Sequence, residues 1–400
     1  MKLSKWFGKK TNNNSELDPQ HEAEINTEHP LDTDTNLSVG DVSKSSLKAL
    51  VFKLLPLVNT QHFPSGIFGQ ISVEVTDSLD IRIGVPFKPE HYRSELTEGL
   101  KAALQHKSVL SDQKPADEAI AAKLLKSVIN FYYEPTELAP SQPAQAKLVI
   151  VVSSGKGGVG KSTVTSNLAV TLAKQGYRTG VLDADIYGPS MPLMFGLQGK
   201  NVVTHDEKTM EPFYQHGVYL NSIGFLIPED KATIWRGPMA SRALMQVINE
   251  TNWPELDVLL VDMPPGTGDI QLTMSETVKS HAAIVVTTPQ NVALADAEKG
   301  IQMFNKVNIP VLGVVENMSQ FICPSCGAEH DLFGRDGGAK CAEKHQIPLL
   351  GQLPLNAMVR EAGDEGCPWA LKESNYEYEK MALSLIMQLS KRSPKTISIS

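Results

Sequence analysis

Residues 155–162 have the composition of a phosphate-binding loop. They read Gly-Lys-Gly-Gly-Val-Gly-Lys-Ser, which fits the pattern G-x-x-x-x-G-K-S/T. Glycines let backbone N–H groups turn inward around a β-phosphate, because no Cβ obstructs them. A helix that follows such a loop points its positive end at the same phosphates. The pattern therefore predicts a nucleotide site, and the alternative is a glycine-rich turn that binds no ligand.

The side chains of this segment have separable roles. Lys161 would reach the β- and γ-phosphates, Ser162 would ligate Mg²⁺ through its hydroxyl, and Thr163 would lie near the α-phosphate. Lys156 is a second lysine that an ordinary phosphate loop does not need, and chemistry alone leaves it as a solvated charge. We assign the remaining contacts with the nucleotide to the backbone of Gly155, Lys156, Gly157, Gly158, Val159 and Gly160.

Carboxylates follow two of the apolar runs of the chain. Asp183 and Asp185 come at and after the end of the run 179–182, and Asp262 ends the run 258–261. Open α/β sheets place ligand groups at the carboxyl ends of their strands, so Asp262 is expected to hold Mg²⁺, usually through water. Helix N-capping is the alternative role for Asp183 and Asp262. The proline- and glycine-rich segment 263–269 could sense a γ-phosphate.

Cys323 and Cys326 form a C-x-x-C pair, which is half of a tetrahedral metal site. Three interpretations compete: a redox dithiol, a zinc knuckle completed by His330 or a distant cysteine, and half of a site completed by a second chain. Four thiolates from two chains suit a [4Fe–4S] cluster. Redox pairs usually begin a helix, and this pair precedes a glycine-containing loop. The other two cysteines are more typical of packing positions: Cys341 and Cys367.

The elements that must position these residues are indicated by periodicity. From residue 147 onward, continuous apolar runs of strand length alternate with helical stretches, which is typical of a parallel sheet covered on both faces. We therefore predict an α/β fold with a doubly wound parallel-sheet P-loop NTPase domain. The apolar runs are 148–152, 179–182, 258–261, 283–286 and 311–315.

The region before residue 134 has a different pattern of apolar residues. Helical spacing of leucines at 47–55, alternation at 71–75 and 79–85 with a hairpin turn between them, and two further helical stripes at 96–104 and 120–128 predict a small α+β domain. The predicted organisation is a disordered polar tail (1–44), the small α+β domain (45–133), a linker (134–146), the P-loop ATPase domain with its cysteine knuckle (147–392) and a tail (393–400).

Composition excludes several classes of protein. The chain has 400 residues, a formal net charge of −8 and no basic stripe, which argues against nucleic acid as a partner. No segment is long and apolar enough for stable membrane insertion. Four cysteines in this length form no disulfide framework, so we expect free thiols, a reducing compartment and a cytoplasmic location.

The order of the motifs resembles the Mrp/ApbC family of iron–sulfur cluster carrier proteins, a branch of the deviant Walker A ATPases that include MinD and ParA. The resemblance is strong from about residue 147 to residue 389 and weaker in the small domain. The motifs that carry it are residues 155–163, 183–190, 235–238, 262–269 and 316–318, followed by the Cys323/Cys326 pair.

The resemblance implies roles that the residues alone do not. Lys156 would reach the phosphates of a partner subunit, Asp185 would lie by the attacking water, and Asn317 would contact adenine. Together with Lys161, Lys156 and Asp185 would then be catalytic. The family is one of cytoplasmic homodimers that use ATP and Mg²⁺, bind a [4Fe–4S] cluster between subunits and transfer it to apoproteins after receiving it from a scaffold or donor. Hydrolysis would be slow and regulatory.

Two rival functions remain. A MinD/ParA-like positioning switch would need a membrane-targeting C-terminal helix, whereas residues 381–389 are apolar at helical spacing and favour a packing helix. An ATPase with a structural zinc between its subunits would use the same cysteine pair.

Overall fold

The computed structural model describes residues 42–104, 115–136, 138, 146–204, 209–226, 237–372 and 376–391, and those from Val42 onward belong to one compact unit. Most of both predicted tails, linker residues 137 and 139–145, and Trp235 and Arg236 of the predicted motifs lie outside the described residues. The predicted domain limits stay predictions.

The helices and strands alternate along the described chain. The helices are α1 (Lys44–Leu54), α2 (Arg93–Ala103), α3 (Pro115–Lys126), α4 (Lys161–Lys174), α5 (Met191–Met194), α6 (Gly237–Glu250), α7 (Asp269–Thr277), α8 (Asn291–Lys306), α9 (Gly337–Lys344), α10 (Ala357–Asp364) and α11 (Tyr376–Ser390). The strands are β1 (Ser72–Val75), β2 (Ile81–Val85), β3 (Ile129–Tyr133), β4 (Ala146–Ser154), β5 (Thr179–Asp183), β6 (Val203–Thr204), β7 (Met210–Glu211), β8 (Phe213–Gln215), β9 (Val218–Ser222), β10 (Leu256–Asp262), β11 (Ala282–Thr287), β12 (Val311–Ile322), β13 (Glu329–His330) and β14 (Leu349–Leu355).

The first part of the described chain builds a three-stranded sheet in the order β1-β2-β3. The predicted hairpin is confirmed, since β1 and β2 pair antiparallel, and β3 then joins β2 in parallel. Helix α1 buries one face through Leu47, Val51 and Leu54. The predicted stripe at 120–128 is wrong at two positions: Leu125 and Val128 are 51% and 57% exposed. Leu125 is rotated about 100° from the buried Leu124, and Val128 lies beyond the end of α3.

The large sheet has nine strands in the order β13-β12-β11-β4-β10-β5-β9-β8, with β14 also paired to β12. All five predicted apolar runs are strands, and they pair in parallel. Two further strands, β9 and β14, were not predicted from the sequence; they extend the parallel sheet at its two ends. Both interrupt their apolar pattern with polar side chains or proline, so neither reads as a continuous buried run.

Helices cover both faces of this sheet, as the doubly wound fold requires. Neighbouring residues of β4 enter opposite cores, with Ile150 in the core that α4 and α11 share and Val151 in the core that α6, α8 and α9 share. The predicted α/β P-loop architecture is therefore confirmed. Its consequence for the site is that the carboxyl ends of β4, β5, β10 and β12 meet along one edge.

Helix α11 is a packing helix, as predicted. It contacts α4 and β14, and its buried side chains include Met381, Leu385 and Leu389. Over the part of the chain that the structure describes, no helix has the length and apolarity needed to cross a bilayer. The cytoplasmic location inferred from the cysteines stays a prediction.

The three-stranded sheet and the large nine-stranded sheet share a continuous apolar core. Polar contacts also join them: Gln175 Nε2 donates to the Tyr92 hydroxyl over 2.9 Å, and Lys88 N donates to the Tyr177 hydroxyl over 3.0 Å. His62 lies between Glu95 and Glu379, 2.7 and 3.2 Å from their carboxylates. The small domain therefore packs directly on α4, α11 and the turn between α4 and β5.

Candidate functional site

The phosphate loop joins the buried strand β4 to helix α4, the context that its sequence predicts. Strand β4 ends at Ser154 and α4 begins at Lys161, with Gly160 in the N-cap position. Gly158 and Gly160 adopt φ angles of 81° and 82°, a left-handed conformation that glycine tolerates far better than other residues. The loop therefore leads directly into a helix N-terminus, where backbone N–H groups have no partner within the helix.

Two glycines of the loop are required by close neighbours. A Cβ on Gly155 would lie 2.1 Å from the backbone carbonyl carbon of Asp296, because α8 passes directly behind the loop. A Cβ on Gly160 would lie 2.1 Å from Nδ2 of Asn317. A larger residue at position 155 would collide with the backbone of α8, and one at position 160 would displace the Asn317 amide and hold a strained φ.

Asp262 accepts hydrogen bonds from three side chains beneath the loop. It is completely buried at the end of β10. Ser162 Oγ donates to Asp262 Oδ2 over 2.6 Å, and Lys161 Nζ donates to the same oxygen over 2.7 Å. Thr165 Oγ1 donates to Asp262 Oδ1 over 2.8 Å. Thr165 was missed in the sequence analysis, although its position one helical turn after Lys161 places both on one face of α4.

Asp185 lies on the other side of the Lys161 ammonium, with 3.3 Å between Nζ and Oδ2. Burial opposes the positive charge of Lys161, but the carboxylates of Asp262 and Asp185 outweigh it and raise the pKa of the ammonium. Burial and the charge of Asp262 raise the pKa of Asp185, against the opposing effect of Lys161. The structure thus brings the predicted Lys161, Asp185 and Asp262 into one buried charged cluster.

Asp183 organises the loop that follows β5. It is aligned with Asp262 in the register of the sheet and is fully buried. It accepts hydrogen bonds from Asp185 N, Met191 N and the Ser222 hydroxyl. The N-capping alternative is wrong for both aspartates, because the N-cap residues of α5 and α7 are Ser190 and Gly268; Asp183 accepts from Met191, the first residue of α5, across the intervening loop. Burial, then the charge of Asp262, raises the pKa of Asp183 to about 7. Ser222 went unnoticed because β9 was not predicted.

Residues 263–269 form the second wall of the site. Gly266 N donates to Ser154 O over 2.8 Å, which fastens this segment to the end of β4. Gln271 Nε2 donates to the backbone oxygens of Pro264 and Pro265. Lys156 is half-buried, and within the described ranges its ammonium has no ion pair or hydrogen bond. Its charge is therefore available to a group outside the described chain.

A cavity of roughly 320 Å³ opens beside the loop. Asn317 reaches it from β12 and donates from Nδ2 to Val159 O over 2.8 Å. The predicted end of this strand was wrong, because β12 continues past residue 315 to Ile322 and contains Asn317. The other residues of the cavity were not predicted; they come from α5, β12, the end of β14 and α10. Its lining includes Thr163, Leu193, Met194, Asn317, Met318, Asn356, Val359, Arg360 and Asp364.

The cysteine pair lies at the tip of a β-hairpin built by β12 and β13. Cys323 N donates to Ala328 O over 2.9 Å, and Gly327 N donates to Cys323 O over 2.8 Å, which closes a tight turn. Cys326 is exposed and Cys323 is half-buried. Backbone N–H groups of Ser325 and Cys326 lower the pKa of the Cys323 thiol. The tip is not a helix N-terminus, so a redox dithiol is disfavoured.

The pair has no third ligand in its own chain, as far as the structure describes it. No His, Cys, Asp or Glu of the described residues gathers with these sulfurs into a group of three within 4.8 Å, and His330 is exposed on β13. Cys341 is buried in α9, and Cys367 is half-buried after α10. The hairpin therefore presents two sulfurs to solvent and remains half of a tetrahedral site.

Comparison with known proteins finds a matching family model and similar proteins. A model of the ParA family, described as the NUBPL iron-transfer P-loop NTPase, matches residues 145–390. The iron-sulfur cluster carrier protein of Haemophilus influenzae is 46% identical over 316 residues, covering 78% of this chain and 82% of that protein. Its namesake in Escherichia coli K12 is 46% identical over 306 residues, covering 76% and 79%.

Two solved structures are also similar. The nucleotide-binding protein of Archaeoglobus fulgidus in complex with ADP is 40% identical with a TM-score of 0.50, covering 56% of this chain and 87% of that one. The cell division ATPase MinD of Pyrococcus furiosus is 25% identical with a TM-score of 0.44, covering 61% of this chain and 98% of that one.

Proposed function

The chain belongs to the ParA family of P-loop NTPases, in the iron-transfer group, and from this membership we propose that it is an ATP-dependent iron–sulfur cluster carrier. Relatives that share most of its length are named iron-sulfur cluster carrier proteins. The observation that carries the proposal is the solvent-facing pair Cys323 and Cys326, which has two sulfurs and no third ligand in the described chain.

A second copy of the chain completes the cysteine site. A [4Fe–4S] cluster takes four thiolates, and two identical pairs related by a two-fold axis supply them. The lowered pKa of Cys323 favours the thiolate, which is the form that ligates iron. The cluster is cargo, so ligation by only two cysteines per subunit suits release to an apoprotein as well as loading from a scaffold or donor.

Exposed apolar side chains support a dimer along the same edge of the sheet. They lie on segments that follow β5, β10 and β11 or at the end of and after β12, so the topology brings them to the face that holds the phosphate loop. Exposed apolar groups on one face favour a partner. The residues are Tyr187, Leu272, Val292, Ile322 and Leu332. Lys156 lies on this face with its ammonium unpaired in the described chain, which suits a contact with the phosphates of the partner subunit.

The nucleotide centre fits ATP with Mg²⁺. Ser162 Oγ and Asp262 Oδ2 lie 2.6 Å apart and are the hard oxygen donors that Mg²⁺ prefers, directly or through water. The ion would neutralise charge that develops on the phosphates. The cavity beside Asn317 and Thr163 has the size and mixed lining for the adenine base. Lys161 would exchange its carboxylate contacts for phosphate oxygens when the triphosphate binds.

The proposed reaction is ATP hydrolysis. The oxygen of a water bonds to the γ-phosphorus while the bond from that phosphorus to the bridging β–γ oxygen breaks, giving ADP and phosphate. Asp185 lies beside Lys161 and would orient this water. Lys161 and Lys156 of the partner subunit would stabilise the charge of the transition state. Hydrolysis would be slow and would switch the dimer between states.

Strand β12 supplies a route between the two centres. Asn317 contacts the phosphate loop through Val159 O, and the same strand ends one residue before Cys323. Met318 lies between them with a φ of 56°, a left-handed conformation that bends the strand. We expect a shift of Asn317 on nucleotide binding to turn the hairpin and alter the spacing of the two cysteine pairs.

Anaerobic loading with iron and sulfide tests the proposal. We expect a dimer by light scattering with an absorption band near ~400 nm, typical of iron–sulfur clusters. A non-hydrolysable ATP analogue should change how fast the cluster passes to a chelator or apoprotein. A colourless monomer, or a dimer that holds only zinc, would contradict the carrier function, and the zinc result would favour the structural-zinc alternative.

A further inference from the structure

Three side chains of ligand type converge where α8 packs against α9, away from the cysteine hairpin. Glu298 comes from α8, and Cys341 and His345 come from α9 and its C-cap. One ligand atom from each lies within 4.8 Å of the other two. We propose that this group, the α8–α9 site, binds a single divalent transition-metal ion such as Zn²⁺ within one subunit. The proposal is independent of the carrier function.

The backbone gives two of the ligands a shared direction. Cys341 and His345 are four residues apart, and His345 N donates to Cys341 O over 3.1 Å, so the last turn of α9 is helical. Residues four apart on a helix lie on the same face, as in histidine pairs that bind zinc. Glu298 faces them from the neighbouring helix. Sulfur, imidazole nitrogen and carboxylate oxygen together suit Zn²⁺, Co²⁺ or Fe²⁺ better than Mg²⁺ or Ca²⁺.

The His345 ring gives a separate sign of a ligand. Its Nε2 atom is buried, and no described residue gives it a hydrogen-bond partner. A buried polar atom without a hydrogen-bond partner lowers the stability of the fold. A metal ion held together with Cys341 and Glu298 satisfies this imidazole.

The present partner of Glu298 can be replaced. Lys344 Nζ lies 2.8 Å from both carboxylate oxygens of Glu298. The lysine side chain is 63% exposed, and ion pairs of this kind contribute little to stability. Glu298 can therefore turn from Lys344 towards a metal ion at small cost.

A cleft of roughly 490 Å³ is lined in part by two of the three ligands, Glu298 and Cys341. It gives an ion a path from solvent and leaves space for a fourth ligand, which a tetrahedral ion needs beyond three protein atoms. The cleft is also lined by Arg335, Lys340 and Lys344. These positive charges favour an anion or hydroxide over neutral water as the fourth ligand.

Cobalt titration of the full chain tests the proposal, with the C323S/C326S variant as background so that the hairpin cannot contribute. Under reducing conditions we expect one equivalent of Co²⁺ to bind with a thiolate-to-cobalt band in the near ultraviolet. Adding C341S should abolish the band, and Zn²⁺ should displace the cobalt. No band in the background protein, or a band that survives C341S, would overturn the proposal.

Two further variants leave the sulfur in place. E298Q and H345Q should each weaken the apparent Co²⁺ affinity at least about tenfold. C367S in the same background is the matched control and should bind cobalt as the background does. If C341S does not fold, these variants decide: unchanged affinity in both would also overturn the proposal, whichever result the cluster-loading experiment gives.

Discussion

The phosphate loop and the cysteine hairpin occupy the same edge of one sheet but differ in how complete they are. At the end of the loop and the start of α4, Lys161, Ser162 and Thr165 all donate hydrogen bonds to the buried Asp262 of β10. The hairpin turns two sulfurs outward and gathers no third ligand in the described chain. In the function that we propose, each subunit would therefore bind nucleotide with its own residues, whereas cluster binding would require two subunits.

The largest expected effect is on the rate of ATP hydrolysis, when either lysine of the phosphate loop is substituted. Lys161→Ala removes the ammonium beside Asp262 and Asp185, so ATP hydrolysis should fall by ~10²–10³-fold. Lys156→Ala should also slow hydrolysis if, as we propose, its charge acts on the phosphates of the other subunit. Steady-state phosphate release measures both.

Mixing the two lysine variants makes the test sharper. In a mixed dimer, one site has both its own Lys161 and Lys156 of the partner subunit, so an equimolar mixture should recover about a quarter of normal activity. Absence of recovery would mean that Lys156 acts within its own subunit, whereas full activity of Lys156→Ala alone would mean that it is only a solvated charge.

Substitution of either cysteine of the hairpin should abolish most of the cluster loading. Cys323→Ser or Cys326→Ser removes one of two sulfurs per subunit, so the cluster absorbance after anaerobic loading should drop by about tenfold or more, since a site left with two thiolates lacks half of its ligands. Cys367→Ser is the control, because this thiol lies after α10 and should leave loading intact. Equal loss in all three variants would point to unfolding rather than ligation.

Asn317 should show a smaller effect. Asn317→Ala removes the hydrogen bond to Val159 O and a polar group of the base cavity, so ATP affinity should fall about tenfold, equivalent to ~1.4 kcal/mol. Asn305→Ala, on the exposed end of α8, is the matched control for fluorescent-nucleotide binding. An equal loss for GTP would show that Asn317 supports the loop and does not select the base.

Asp183 should give the smallest effect, visible as a pH trend. Its folded pKa is raised from 3.8 to about 7, so the folded protein binds more protons than the unfolded chain in that window. The contribution of Asp183 to unfolding free energy therefore falls as pH rises through the window. Thermal melts of wild type and Asp183→Asn should differ more in favour of the variant at about pH 8 than at about pH 5. A constant difference would mean that Asp183 stays ionised in the fold.

The loop and strands were predictable because their signals are local. Residues 155–162 indicate a phosphate loop, and each apolar run indicates a buried strand, from a few neighbouring positions alone. The contact of Asp183 with Ser222 depends on which strands become neighbours, and no spacing in the sequence encodes that. The spacing of Lys161 and Thr165 gives their shared face of α4, but not that β10 brings Asp262 against that face. The same holds for the base cavity, where Arg360 and Asp364 join Thr163 from about two hundred residues away.

The hairpin was predictable in composition but not in placement. The C-x-x-C spacing indicated a metal ligand pair, and the resemblance suggested a second chain. The twelve-residue length of β12, which carries the pair away from the sheet edge, was missed because polar residues follow its first five positions. The second half of β12 is only partly buried and carries polar residues, so its sequence resembles a loop.

The close passage of α8 behind Gly155 has a consequence for affinity. With the backbone of Asp296 only 2.1 Å from where a Cβ would be, the loop has no room to relax backwards. Its shape is fixed when the chain folds, so an arriving triphosphate need not order it. The conformational entropy of the phosphate loop is lost when the chain folds. Little of the binding free energy of the triphosphate is therefore needed to order the loop.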